Sequence, residues 1–263
     1  MKVNQEIVTE TLDDGAIGLI TLNRPERHNA LTLAMWRQFA DSVRAFGEKA
    51  ACRVLIVRGA GERAFSAGAD LNEIATHRQT PEGAAAHHAV VEDAFRALTD
   101  FEQPVIAMIH GYCIGGGCEL AVACDLRMAD ERAQLGIPAA KLGIVLGVDE
   151  LRRLASLVGV AVAKEILFSG RRFDAAEALR IGLVNQVFPA DKLEDATFAL
   201  ARQIAENAPI SVDATKALLN AIDRGIPSTE LAALQRTFSE QANLAVDARE
   251  RIASVVSRRE RPS

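Results

Sequence analysis

The chain has 263 residues, 49% apolar and 25% charged, and its 30 Lys and Arg against 35 Asp and Glu leave a formal charge of −5. That balance argues against general binding to nucleic acid or to anionic membranes. The length predicts one large domain, or one domain with a small appendage, whose core needs no disulfide or metal staple. Four cysteines, Cys52, Cys113, Cys118 and Cys124, lack CxxC spacing and are expected to be buried free thiols. The opening MKVNQEIVTE has no apolar stretch of signal-peptide type. The best membrane candidate, Val105 to Ala123, carries His110, four glycines and Glu119, too polar for a span. A soluble cytoplasmic protein is expected.

In chain order, Ala16–Leu22 reads as a strand closed by Asn23-Arg-Pro25. Thr32 is placed to cap a helix whose Met35, Phe39, Val43 and Phe46 form one apolar face, with Trp36 beside that stripe as a core residue. Arg53–Arg58 is a buried-type strand, followed by a Gly- and Ala-rich loop. Pro81–Phe101 predicts the next helix, with His77, His87 and His88 before or on it. Adjacent His87 and His88 cannot share a helix face, which weakens a metal-binding reading. Pro104–Ile109 and Asp125–Ala129 read as strands, separated by the loop His110–Gly117 and a helix starting near Cys118. From Asp149 the chain turns mostly helical: Glu150–Leu157, Ala161–Phe168, Ala175–Arg180, Lys192–Asn207, Ser211–Arg224, Thr229–Val246 and Arg249–Arg258, interrupted by a strand at Leu183–Phe188. This order predicts an α/β core over residues 1–200 and a helical region over 201–263.

Two glycine-rich loops follow strands: Ala64-Phe-Ser-Ala-Gly-Ala-Asp70 and Gly111-Tyr-Cys-Ile-Gly-Gly-Gly-Cys-Glu-Leu120. Successive glycines at a helix start leave backbone N–H groups unpaired and aimed outward with the helix dipole, which suits either a tight turn or a site for negative charge. There is no GK[ST], no GxGxxG and no GxSxG, so nucleotide cradles and a nucleophile elbow are not supported. Ser66 is the only serine in either loop and no histidine neighbours it, which leaves a serine-peptidase reading almost without support. Glu119, in an otherwise apolar run, is either a first-turn acid complementing the dipole or a proton-handling group beside a developing oxyanion.

With these residues in view, the chain resembles the enoyl-CoA hydratase/isomerase (crotonase) family. The resemblance rests on Thr21–Leu31 (TLNRPERHNAL), Ala64–Leu71, Gly111–Ala121 and Arg171–Val187 (RRFDAAEALRIGLVNQV), and so spans nearly the whole chain. It implies an α/β spiral of ββα units with a helical C-terminal trimerisation region, and trimers often paired into hexamers. It implies acyl-coenzyme A thioesters as substrates, with coenzyme A part of the substrate and no metal or redox cofactor. By position it puts oxyanion-hole donors at the N–H of Ala69 and Gly116 and a family glutamate at Glu119. It also puts an adenine pocket in the backbone around Ala67, Asp70 and Leu71, and Arg27 within reach of the coenzyme phosphates. Arg27 otherwise reads as a solvated loop residue.

One departure matters. The second hydratase glutamate should follow Pro138, where this chain has Ala139. A positioned acid or base contributes about 10²–10⁴-fold. Either Glu119 acts alone, or Asp149 or Glu150 supplies another carboxylate, though both also suit the start of the following helix. Alternatively the reaction needs less proton chemistry: Pro138–Gly143 is similar to the methylmalonyl-CoA decarboxylase branch, in which loss of CO₂ forms the enolate. A non-catalytic acyl-CoA-binding homologue is a further alternative. Larger side chains in Gly143–Glu150 are expected to reshape the acyl pocket. The basic tail, Arg249, Arg251, Arg258, Arg259 and Arg261, reads first as cations complementing a helix end, and by the resemblance as groups near a neighbour's coenzyme.

Overall fold

The computed structural model describes residues 5–77, 79–245 and 251. The chain divides after Arg202 into two compact units.

In the first unit, strands leave the chain in pairs and enter two different sheets. The larger sheet has six strands in the order β1 (Ile7–Leu12), β2 (Ile17–Leu22), β3 (Val54–Gly59), β5 (Val105–Ile109), β7 (Leu126–Asp130) and β10 (Gln186–Phe188). The smaller holds β4 (Ala64–Ser66), β6 (Tyr112–Ile114), β8 (Gln134–Gly136) and β9 (Phe173–Asp174). Each pair β3/β4, β5/β6 and β7/β8 therefore gives one strand to each sheet, a spiral of repeated turns. From β2 to β10 the larger sheet is parallel, and only β1 runs against its neighbour. β2 and β5 are buried along their full length, as their predominantly apolar runs predict for parallel strands covered on both faces.

Helices α1 (Leu33–Gly47), α2 (Leu71–His77) and α3 (Pro81–Asp100) follow the early strands. Thr32 caps α1 by accepting the Met35 N–H at 3.1 Å, and the Met35, Phe39, Val43 and Phe46 face is buried as expected. Trp36 is also fully buried and meets Phe95 of α3 edge-to-face at 5.5 Å. Then come α4 (Gly116–Ala123), α5 (Val148–Val158), α6 (Val160–Ser169), α7 (Ala175–Arg180) and α8 (Leu193–Ala205). The far end of α4 is tied down by buried Arg127, whose Nη1 donates to the carbonyls of Cys124 at 2.7 Å and Ala121 at 3.4 Å. Its Nε donates to Leu183 O at 3.0 Å.

In the second unit, α9 (Pro209–Asp223) and α10 (Ser228–Leu244) pack on each other. Arg251 donates to the Glu206 carbonyl at 2.7 Å. The other basic-tail residues, Arg249, Arg258, Arg259 and Arg261, lie outside the described residues, as do the end of the Thr229–Val246 helix and all but one residue of the Arg249–Arg258 helix.

Several expectations are corrected. Both glycine-rich stretches read as loops contain short strands, β4 and β6, and β1, β8 and α2 were not foreseen. The strand expected at Leu183–Phe188 starts only at Gln186, because Leu183 and Val184 donate to Ala178 O and close the turn after α7. All four cysteines are free and buried. Among the described residues no helix is long and apolar enough to cross a membrane.

Candidate active site

A cavity of about 580 Å³ opens where α4 begins. Its lining includes Ala67, Gly68 and Ala69, where β4 ends, and Ile114, Gly115 and Gly116, where β6 ends. Gly115 starts α4 at φ 54° and ψ −127°, a conformation open in practice to glycine alone. Gly68 lies so close to this turn that a Cβ on it would meet Ile114 O at 2.6 Å and Gly116 N at 3.0 Å.

The neighbouring amides are already engaged. Leu31 N–H donates to Gly68 O at 2.7 Å, Asp70 N–H to Leu31 O at 2.8 Å, and Ala67 N–H to His28 O at 2.9 Å. The N–H groups of Ala69 and Gly116 donate to nothing among the described residues. They lie close together, since a Cβ on Gly116 would stand 3.5 Å from Ala69 N. Both residues line the cavity, and a pair of backbone donors so placed is of the kind that can stabilise developing negative charge.

Glu119, in the first turn of α4, lines the same cavity, and its carboxyl makes no hydrogen bond among the described residues. Burial, reinforced by the nearby Glu150 charge and opposed by Arg153, pushes this carboxyl up to about 8. At neutral pH it therefore mostly holds its proton.

The lining also includes Pro138, Ala139, Leu142, the Ile144–Gly147 segment and Glu150. Ala139 is buried, so the position after Pro138 does face the site and brings no acid to it. The two candidate replacements separate. Asp149 points away, 69% exposed and 3.3 Å from Arg152. Glu150 lines the cavity and also folds back to accept the Gly147 N–H, capping α5.

Comparison with known proteins identifies the family. The sequence model of the family described as "Enoyl-CoA hydratase/isomerase" matches residues 13–258. The chain belongs to the enoyl-CoA hydratase/isomerase family. It is 36% identical over 243 residues to a short-chain-enoyl-CoA hydratase of Clostridium acetobutylicum, spanning 91% of this chain and 90% of that one. It is 35% identical over 230 residues to a crotonyl-CoA hydratase of Syntrophomonas wolfei, spanning 86% and 87%. The crystal structure of an enoyl-CoA hydratase from Bacillus anthracis superposes with a TM-score of 0.90 at 34% identity, covering 97% of each chain.

The other residues singled out by resemblance to this family fall in different places. Leu71 lines the cavity, largely exposed at its edge. Asp70 does not line it. Its carboxylate accepts from Arg24 at 2.8 Å and from the Asn72 N–H at 3.0 Å, and the Arg24 bond holds its pKa below the usual carboxylate range. Arg27 sits exposed on the turn Pro25–Arg27, outside the cavity lining but one residue before His28, whose carbonyl holds Ala67. Ser66 is fully buried, its hydroxyl donating to Asn29 O at 2.8 Å and accepting from Gly68 N–H at 3.1 Å, so it is a structural clasp for the loop. Trp36, read as core only, also lines the cavity, as do His87 and His88 of α3. Only the fold brings α1 and α3 to the site, and no local motif marks them.

Proposed function

We propose that this chain hydrates 2-enoyl-CoA thioesters to 3-hydroxyacyl-CoA. The observation that carries the reading is the pair of unengaged amides, Ala69 and Gly116, converging on a cavity that also holds Glu119. In this reading the thioester oxygen sits between the two N–H groups. When water adds at the β-carbon, the electron pair of the double bond moves through the α-carbon onto that oxygen, and the two donors hold the enolate. One such donor is worth about 3–4 kcal/mol in the transition state. Protonated Glu119 then gives its proton to the α-carbon. Coenzyme A enters as part of the substrate, with Arg27 and the backbone of Ala67, Asp70 and Leu71 proposed to bind its nucleotide end. The naming of the relatives supports the same chemistry.

Hydration is preferred to decarboxylation on electrostatic grounds. A malonyl-type substrate would bring its own carboxylate into a cavity where Glu150 already raises the Glu119 pKa by charge repulsion. A trimer, or a hexamer made of two trimers, and a cytoplasmic location are proposed with the same activity.

The test is loss of crotonyl-CoA absorbance on hydration by the wild type and by Glu119→Gln. The variant is expected to lose about 10²–10⁴-fold in kcat. Equal rates would remove Glu119 from the reaction. CO₂ release from methylmalonyl-CoA in place of hydration would replace the reading with decarboxylation.

A further inference from the structure

Adding water needs a group to take its proton as well as one to protonate carbon, and the family position for a second carboxylate is Ala139. Resting on the hydratase reading, we propose that Glu150 is the second proton-transfer group, delivered to the cavity from the first turn of α5.

Four observations support this. Glu150 lines the cavity together with Glu119 and Ala139, whereas its neighbour Asp149 does not. It is fixed there: one carboxylate oxygen, Oε2, accepts the Gly147 N–H, while Oε1 has no hydrogen-bond partner among the described residues. Gly147 permits that fold-back, because a Cβ on it would meet Glu150 Oε2 at 2.8 Å. Finally, Glu150 acts on Glu119 through its charge, so the two carboxyls are electrostatically linked.

The groups around this pair are few. From α5 come Glu150 and Arg153, and from α3 come His87 and His88, with His88 Cε1 3.7 Å from the Gly147 Cβ position. Cys113 of β6 faces the core, its thiol kept neutral by burial.

The step balances. Ionised Glu150 accepts a proton from water as the water oxygen bonds to the β-carbon and the double bond's electron pair becomes the enolate. Glu119 gives its proton to the α-carbon and becomes ionised. A proton then returns from Glu150 to Glu119 through water in the cavity. The reacting state carries one proton on the pair, held by Glu119.

Glu150→Gln tests this, because glutamine still offers an oxygen to the Gly147 N–H and so keeps the cap. Expected are a kcat lower by about 10²-fold or more and little change in KM. In the wild type the rate falls as pH rises through about 8, where Glu119 loses its proton. In the variant that limb moves to lower pH, because the repelling charge is gone. A wild-type rate that instead rises through that pH, as a lone Glu119 shuttle requires, overturns the proposal, as does an unchanged kcat in the variant. Ala139→Glu in the Glu150→Gln background is expected to restore part of the rate, and no recovery counts against the role. If the wild type hydrates no 2-enoyl thioester, the hydratase reading fails by itself. Carbon-13 NMR titration of the Glu119 carboxyl then decides the pairing: a lower pKa in Glu150→Gln supports it, and an unchanged one overturns it.

Discussion

Two groups of residues line the cavity: 67–69 and 114–116, where β4 and β6 end, and Pro138, Ala139, the Ile144–Gly147 segment and Glu150. The first group is over-determined. Ala67, Leu31 and Asp70 donate to carbonyls around the free Ala69 amide, the Ser66 hydroxyl clasps the loop, and glycines admit the close approach of two strands ends. Changing any one residue there disturbs its neighbours. The other group is tied by fewer bonds, Ile144 N–H to Ala139 O and Gly147 N–H to Glu150 among them, and it brings Ala139, a carboxylate from the next helix and the apolar side chains of Ile144, Val145 and Leu146 to the cavity. On the proposed function, the enolate is held by main chain fixed through a network of bonds, while proton transfer falls to individual side chains.

The largest break in this contrast is expected from Gly68→Val. Its side chain would push on Ile114 O and Gly116 N, displacing one of the two proposed oxyanion donors. A kcat loss of about 10²–10³-fold is expected, read in the crotonyl-CoA assay beside a circular-dichroism check of folding.

Next in size is a stability effect that separates Glu119 from the main-chain donors. Its folded pKa, about 8, lies above the ordinary carboxylate value. The folded state therefore keeps a proton that the unfolded state releases, so its contribution is fullest below the ordinary value and is lost as pH rises through 8. Glu119→Gln removes that dependence. Its Tm relative to wild type should be higher at pH 9 than at pH 5 by at least about 2–4 °C, the shift one kcal/mol produces in a chain of this size. Equal differences at the two pH values would show that the carboxyl is not held out of water.

The smallest effect is expected from Asp149→Asn, which alters only a surface ion pair with Arg152. Stability should stay within about 0.5 kcal/mol and kcat should not change. A large loss of rate would transfer the role of Glu150 to its neighbour.

Much of the architecture was legible because buried parallel strands are written as predominantly apolar runs: Ile17–Leu22, broken only by Thr21, Val54–Val57 and Val105–Ile109. The α1 face announced itself by spacing and by Thr32. Strands of three residues, β4, β6 and β8, carry too few positions for any period and sit inside glycine-rich stretches. β1 escaped because only Ile7 of its six residues is buried. In the site, the glycine loops and Glu119 were legible from residue type. The choice between Asp149 and Glu150 was not, since adjacent acids at a helix start look alike until the fold decides which turns inward. Nor could any local pattern bring Trp36, His87 and His88 to the cavity.

The Arg127 guanidinium, bound to carbonyls at the last turn of α4, sits at the electronegative pole of the helix whose opposite pole lies at the cavity. That short helix is electrically terminated at its rear. This contribution to the field at the Gly116 end comes from the protein interior, and the Glu150 charge adds to it from the cavity. An exchange of the cavity acids would leave Arg127 and its carbonyl partners in place.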